Sequence, residues 1–354
     1  MTTIRDVAKR AGVSIAAVSR ALNNYPDINA DTKARILKVV EELRYYPKAS
    51  ARQLVTQRTH TIGVFYPSFD GQGLRQPFIA HVLDVFKNTM GDYGYDILLF
   101  SNTRAPFADF DMLDMVRYRD VDGVLLLGRP DESIHKLAEA NVPLVGVDHT
   151  AQGVRTASVS SDNRRALHDL VCTLHANGYR DIAFAHGPLN MPVSVERLQG
   201  FYSGMGRMGL DIHPEWIVNG TFHFEGGERA AEQILASRKP PEIVVCASDG
   251  SAIGMMQRLI RAGLTIPNDI GVTGFDDVDA CAYVYPQLTT IRQNKDLMGR
   301  TAAQVMVQLI DNKDGAPIHL TLPTELIVRQ STRPLVVAQE NPEVLDTVLI
   351  NSAT

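Results

Sequence analysis

Apolar residues recur at helical spacing near the start of the chain. Ile4, Val7, Ala8 and Ala11 form one stripe, Gly12-Val13 interrupts it, and Ser14 stands as an N-cap before Ile15-Ala16-Ala17-Val18-Ser19-Arg20-Ala21-Leu22. This spacing predicts two short helices meeting across a tight turn. Val7, Ala8 and Ala11 would face inward with Val18 and Leu22, the small alanines allowing the close crossing that a helix-turn-helix requires. A third predicted helix, from about Ala30 to Leu43, would close the core with Ile36, Leu37, Val40 and Leu43. In such a unit the second helix lies in the major groove and its first turn reaches the base edges, which turns Ile15, Ala16 and Arg20 toward DNA. Neither Ile15 nor Ala16 can hydrogen-bond a base, so their contacts would be apolar, for example with a thymine methyl. Helical phase alone also allows Ile15 a place in the core.

From Thr61 the pattern changes. Apolar, β-rich runs alternate with helical segments, as in layered parallel α/β folds. The strand candidates are 62–66, 97–100, 124–127, 144–147, 182–185, 243–247, 270–274 and a terminal stretch over 318–328. About 275 residues of this kind exceed one ordinary sheet, so two similar lobes are expected. Ligands bind such sheets at the carboxyl ends of the strands, so the cleft between the lobes is the expected binding site.

Charge divides the chain at the same place. Residues 1–60 carry +6, with 11 Lys and Arg, while the remainder carries −11. A basic head on an acidic body points only the head at a polyanion. The 354 residues are 45% hydrophobic and 21% charged, which describes a folded, multidomain protein rather than a disordered one. The three cysteines show no C-x-x-C spacing, so neither a disulfide framework nor a zinc module is expected and a reducing, cytoplasmic setting fits. No apolar stretch approaches the length of a membrane span, and the first residues lack a signal-peptide pattern; no membrane partner is expected.

The head carries a specific resemblance. Residues Thr3 through Ser14, with Val18-Ser19-Arg20, Asn23, Tyr45-Tyr46-Pro47 and Ala51-Arg52-Gln53-Leu54, closely resemble the head of the lactose-repressor (LacI/GalR) family. That resemblance implies a dimer reading an inverted-repeat operator in double-stranded DNA. It assigns DNA contacts to Thr3, Ser14, Ile15, Ala16, Ser19, Arg20, Asn23, Ala51 and Leu54. A short hinge helix near 48–55 would insert Leu54 into the minor groove, where an apolar wedge costs unstacking but bends the duplex onto more protein surface. The family usually has Thr where Ala17 stands, which removes a hydroxyl-to-phosphate contact.

The resemblance continues to about Pro334 through Asp122-Gly123-Val124, Glu196-Arg197-Leu198-Gln199-Gly200-Phe201, Gly274-Phe275-Asp276-Asp277, Pro286-Gln287-Leu288-Thr289-Thr290-Ile291 and Leu322-Pro323-Thr324-Glu325-Leu326. It implies a type I periplasmic-binding-protein-like core of two parallel-sheet lobes, crossed near Ser161, Ile291 and Pro323. The implied division is a helix-turn-helix head over 1–46, a hinge helix and linker over 47–60, and an effector-binding and dimerisation core over 61–335. Within the core, lobe 1 covers about 61–161 and 292–322, and lobe 2 about 162–291 and 323–335. A tail over 336–354 follows, with one short apolar stripe at Val344, Leu345, Val348 and Leu349, too brief for a stable coiled coil.

Effector contacts carried over from the family fall on Phe78, Asp148, Arg197, Phe222, Ser248, Asp249, Asp276 and Gln293. Arg197 and Asp276 would grip polar groups, since fixed guanidinium donors and a carboxylate acceptor suit vicinal sugar hydroxyls. Phe78 and Phe222 would cover the ligand, or else pack in the core as aromatics at helix starts usually do. Arg197 and Asp276 would, without a ligand role, form an interlobe ion pair. Ser248 replaces the family's usual Asn, and the loop over 67–77 is longer than usual, so a larger or differently anchored effector is one reading.

Gly204-Met205-Gly206-Arg207-Met208-Gly209 satisfies G-x-G-x-x-G, but a helical segment precedes it and Leu210-Asp211-Ile212-His213-Pro214 cannot start a helix, so it reads as a glycine-rich helix end. His168 and His175 share a predicted helix without a third ligand nearby, which points to surface histidines rather than a metal site. With no nucleophile elbow or phosphate loop, no enzyme, cofactor or metal is expected. The expectation is a DNA-binding repressor of carbohydrate-utilisation genes, released by a sugar. The alternatives are repression activated by a corepressor such as a purine, or a sugar-binding protein without a DNA role.

Overall fold

The computed structural model describes residues 2–23, 25–46, 58–66, 73–101, 110–128, 133–149, 153–312 and 316–337. Ala51 and Leu54, most of the hinge, the 67–72 part of the long loop and the apolar stripe of the tail lie outside these residues. The chain forms two compact units, 1–61 and 62–354.

The first unit contains α1 (Ile4–Ala11), α2 (Ile15–Leu22) and α3 (Ala30–Glu42). Thr3 starts α1 with a capping box: its Oγ1 accepts from the Asp6 N–H at 3.4 Å, and its own N–H donates to Asp6 Oδ2 at 2.8 Å. Gly12 ends the helix at φ 65°, a left-handed conformation that glycine adopts without a Cβ penalty. The core is Val7, Ala8, Ala11, Val18, Ala21, Ile36, Val39 and Tyr45. Leu37, expected inside, is 43% exposed, and Val39 takes its place. The buried stripe of α3 runs through 36, 39, 40 and 43, and Leu37 stands about 100° round the helix from Ile36. Leu22, Val40 and Leu43 pack at the rim, partly buried.

The second unit runs, in chain order, β1 (Thr61–Phe65), α4 (Pro77–Asp92), β2 (Asp96–Leu99), α5 (Met112–Arg119), β3 (Gly123–Leu127), α6 (Ser133–Glu139), β4 (Leu144–Val147) and β5 (Thr156–Ser161). It continues with α7 (Asn163–Ala176), β6 (Ile182–His186), α8 (Pro192–Met208), β7 (Ile217–Asn219), α9 (Phe224–Leu235), β8 (Ile243–Cys246), α10 (Asp249–Arg261) and β9 (Gly271–Asp276). Then come α11 (Ala280–Tyr283), β10 (Thr289–Gln293), α12 (Lys295–Asp311), β11 (Ile318–Leu322) and β12 (Thr324–Ile327). One sheet has the order β11-β5-β4-β3-β1-β2 and the other β12-β10-β9-β8-β6-β7. The registered pairs are parallel except β10–β12.

Each sheet is covered on both faces, so central strands such as β3, β4 and β8 are apolar throughout. Val124, Leu125, Leu126 and Leu127 of β3 are all fully buried. In the first lobe one core lies beneath α4 and α12 and another beneath α5 and α6; in the second, α9 and α10 cover one face and α7 and α8 the other. The chain passes between the sheets at 161–163, 293–295 and 322–324. The first and third passages are bonded together, the Asp162 N–H donating to the Leu322 carbonyl at 3.0 Å. The fold is thus a three-helix head plus a two-lobed, periplasmic-binding-protein-like α/β core. The G-x-G-x-x-G run lies at the end of α8, with Gly209 closing it at φ 64°.

Candidate functional site

On the head, α2 is organised by its own sequence. Ser14 caps it, its Oγ accepting from the Ala17 N–H at 3.1 Å, and no acidic residue occupies the first turn. That end carries the positive pole of the helix, where a phosphate is welcome. Ile15, Ala16 and Arg20 stand exposed on the same helix, so Ile15 is a surface residue rather than a core one. Ser19 is half-buried beside Asn23, whose Nδ2 donates to the Ser19 carbonyl at 2.8 Å. Arg20 lies 3.5 Å from Asp27, both more than half exposed, so a phosphate or base could take its guanidinium at little cost.

In the core, a cavity of about 260 Å³ is lined from both lobes. The first lobe supplies Tyr66, Gln76, Phe78, Ile79, Gly128, Val147 and Asp148. These sit just past the carboxyl ends of β1, β3 and β4 and at the start of α4, where Pro77 fixes the first turn. From the second lobe come Pro188, Asn190, Met191, Val193, Arg197, Thr221, Phe222, His223, Asp276 and Gln293.

Of the eight sequence-derived effector candidates, six line this one cavity: Phe78, Asp148, Arg197, Phe222, Asp276 and Gln293. Ser248 and Asp249 are not on its lining. Ser248 caps α10 by accepting from the Ser251 N–H at 3.2 Å. Asp249 is fully buried and accepts from Thr290 Oγ1 at 2.5 Å and the Val278 N–H at 2.9 Å, which holds the loop after β9 in place. A strand-end position predicts proximity to a cleft, but not whether the side chain turns into it or back into the protein.

Arg197 is 3% exposed. Its Nε donates to Asn163 Oδ1 at 2.8 Å and its Nη1 to the Ala247 carbonyl at 2.6 Å, while the guanidinium lies 3.7 Å from the centre of the Phe275 ring. It forms no ion pair with Asp276, and both residues belong to the second lobe, so the interlobe-pair alternative does not describe this geometry. Asp276 Oδ1 accepts from Gln293 Nε2 at 2.7 Å, and Lys295 Nζ donates to the backbone carbonyls of Asp276 and Asp277 at 3.0 and 2.6 Å. Asp148, Asp276 and Asp277 have φ values of 57°, 124° and 53°, sparsely populated backbone held by the surrounding packing.

Burial raises both carboxylates of the lining. Asp148 is pushed up to about 6, against the pull of Arg197 and with Asp276 and Glu196 adding repulsion. Asp276 is pushed up to about 7, again by burial first, with Arg197 opposing and Asp249 adding repulsion. The same burial draws the Arg197 guanidinium down, and the surrounding Asp276, Asp148, Glu196 and Asp249 hold it up.

Phe78 belongs to the first-lobe core, as its packing reading has it, and also stands on the cavity wall. Phe222 lies so close to Gly187 that a Cβ there would run into the ring, which explains a glycine at that turn. Sequence reasoning missed Gln76, Asn190, Thr221 and His223 on the lining, and Asn163 behind Arg197. Tyr66, Gly128 and Val147 could have been found from the strand-end rule alone. His168 bonds Ser203 on α8 through its Nδ1 at 3.0 Å, and no cluster of three potential metal ligands occurs among the described residues.

A helix-turn-helix unit joined in one chain to a two-lobed core with a polar interlobe cavity is the make-up of a DNA-binding regulator answering to a small molecule. Residues 3–48 match the family described as bacterial regulatory proteins, lacI family, and residues 171–332 match a periplasmic binding protein-like domain. A protein named probable HTH-type transcriptional repressor ExuR, from Bacillus subtilis (strain 168), is 32% identical over 338 residues, covering 95% of this chain and 99% of that protein. Among solved structures, the lac repressor dimer bound to operator and the anti-inducer ONPF is 26% identical with a TM-score of 0.79, covering 94% of this chain and 99% of that one. A transcriptional regulator CelR–cellobiose complex is 27% identical with a TM-score of 0.69, covering 94% and 100%. The chain belongs to the lacI family of bacterial regulatory proteins.

Proposed function

We propose that this chain is a transcriptional repressor that binds a palindromic operator as a homodimer and is released when a sugar occupies the interlobe cavity. The observation that carries the reading is the meeting of Asp148, Arg197, Asp276 and Gln293 with two aromatic rings in one cavity of a chain that also holds a helix-turn-helix. A sugar presents hydroxyl edges and apolar ring faces, and this lining offers both kinds of contact. On DNA, Ile15, Ala16 and Arg20 face the major groove, Thr3, Ser14, Ser19 and Asn23 settle the head on the backbone, and Ala51 and Leu54 act in the minor groove. Two heads would read half-sites about one helical turn apart, ~34–36 Å. Effector binding favours one lobe orientation, separates the hinges and withdraws Leu54. By linkage the operator and the effector weaken each other by one common factor, about 5- to 150-fold. No cofactor enters this scheme.

The test uses duplex DNA selected by repeated binding from a random pool, with fluorescence anisotropy read while sugars are added. Release of the selected duplex by a sugar, with retained binding in its absence, is the expected result. Tighter binding on addition would assign the corepressor sign, and no effect of any sugar would discard the carbohydrate effector. Leu54→Ala should weaken selected DNA far more than random DNA; equal losses on both would remove the wedge from the scheme.

A further inference from the structure

The polar groups of the cavity are unbalanced toward acceptors. Asp148 Oδ1 and Gln293 Oε1 are buried without a hydrogen-bond partner. One carboxylate oxygen of Asp276 accepts from Gln293, and the other makes no hydrogen bond among the described residues. Buried acceptors left unpaired cost stability, so a ligand that satisfies them binds with that advantage. The cationic donors are largely spent, while the neutral side chains of Asn190 and Thr221 also stand on the lining. Arg197 has committed Nε to Asn163 and Nη1 to Ala247, which leaves Nη2 as its unbonded nitrogen. Lys295, the ammonium nearest Asp276 in sequence, is occupied by two backbone carbonyls. His223 is partnered within the protein, and Gln76 can turn its amide to offer either a donor or an acceptor.

Charge leans the same way. Asp276, Asp148, Glu196 and Asp249 all act on the one guanidinium, so the cavity has a surplus of carboxylate around it. A bound carboxylate or phosphate is held best by a fork of N–H donors, and it would set its own oxygens against the carboxylates of Asp148 and Asp276. A hydroxylated ring needs neither. Its O–H groups donate to the unpaired acceptors, one of its oxygens accepts from Arg197 Nη2, and its apolar face meets Phe78 or Phe222.

We infer that the cavity selects an uncharged, hydroxyl-rich ring and rejects the anionic derivatives of the same ring, its phosphate ester or its uronic acid. This rests on the cavity being the effector site, and it narrows the effector to one charge class.

The experiment is isothermal titration of the full-length protein at pH 7.5 with matched sets: glucose, glucose 6-phosphate and glucuronate; galactose, galactose 1-phosphate and galacturonate; adenosine and AMP. The expected result is that the tightest binder is uncharged and that each anionic partner binds at least ~100-fold more weakly, since like charges in a poorly screened site repel strongly. An anionic compound binding as tightly as its uncharged parent overturns the inference, and so does a panel in which no uncharged member binds. Adenosine binding without any sugar would reject the sugar effector while supporting the charge rule. Operator release is measured separately, so failure of the repressor scheme and failure of the charge rule give different results. Asp148→Asn supplies a second reading: it keeps the shape but removes one charge, so the gap between parent and anion should shrink at least ~5-fold, and an unchanged gap counts against the inference.

Discussion

Asp276 concentrates the chemistry of the core in a single residue. Its side chain is buried, its φ is 124°, its carboxylate is tied to Gln293, and its backbone carbonyl is tied to Lys295. Burial raises it to about 7, so in the unliganded protein it binds a proton that the unfolded chain releases near the ordinary value of 3.8. The folded state therefore holds more protons than the unfolded state between about pH 4 and pH 7, and stability falls as pH rises through that window. Asp276→Asn cannot titrate. The unfolding free energy of the native protein relative to this variant should decline by up to ~1.4 kcal/mol per pH unit across the window and level off above it. Urea denaturation of both proteins at four pH values measures this, and a constant difference from pH 4 to pH 8 would show that the carboxylate is solvated. A ligand that donates to Asp276 favours its ionised form, so the same residue makes effector affinity rise with pH over that range.

The helices on one face of the second lobe show how packing holds such residues in position. On α8, a Cβ at Gly200 would strike the Arg164 carbonyl at the start of α7, and one at Gly204 would come 2.7 Å from Val171 Cβ. The two helices are therefore as close as glycine permits, and that spacing lets Arg197 on α8 reach Asn163 on α7. Gly200→Ala should push the pair apart, lower stability by ~1–3 kcal/mol and weaken effector binding roughly tenfold without touching the ligand. Gly206→Ala, where nothing lies within 4 Å, is the control and should hold or raise stability. Equal thermal shifts and equal affinities in the two variants would disprove this account of the close contact. The same close packing explains what was legible in the sequence. Strands such as β3 announce themselves by four large apolar residues in a row. β5, Thr-Ala-Ser-Val-Ser-Ser, carries little signal because its residues are small and mostly polar although nearly all are buried. β7 is three residues long, and β10 begins with two buried threonines; both gave too weak a signal. The terminal run read as one strand is two, β11 and β12, because Pro323 marks a passage from one sheet to the other. The six lining residues came from matching motifs, whereas Asn163 and His223 depend on which way a helix start faces, which spacing alone does not give.

At the level of the whole chain, the charge split and the division into two compact units coincide: a basic segment with its own core precedes an acidic two-lobed body. Among the described residues the head core has eight buried ones, three of them alanine, so its margin of stability rests on a few large side chains. Ile36 is fully buried at its centre. Truncating such an isoleucine to alanine costs about 2–5 kcal/mol through lost burial and the cavity left behind, which is comparable with the entire stability of a domain this small. Ile36→Ala should therefore unfold the head near ambient temperature and abolish binding to selected and random DNA alike. Calorimetry should show the low-temperature transition lost and the main transition unchanged, and effector affinity measured by titration should stay within about twofold of the native value. A matching fall in effector affinity or in the main transition would mean that the two units share their stability. Effector control of DNA binding would then run through common unfolding rather than through the hinge and a change in lobe orientation.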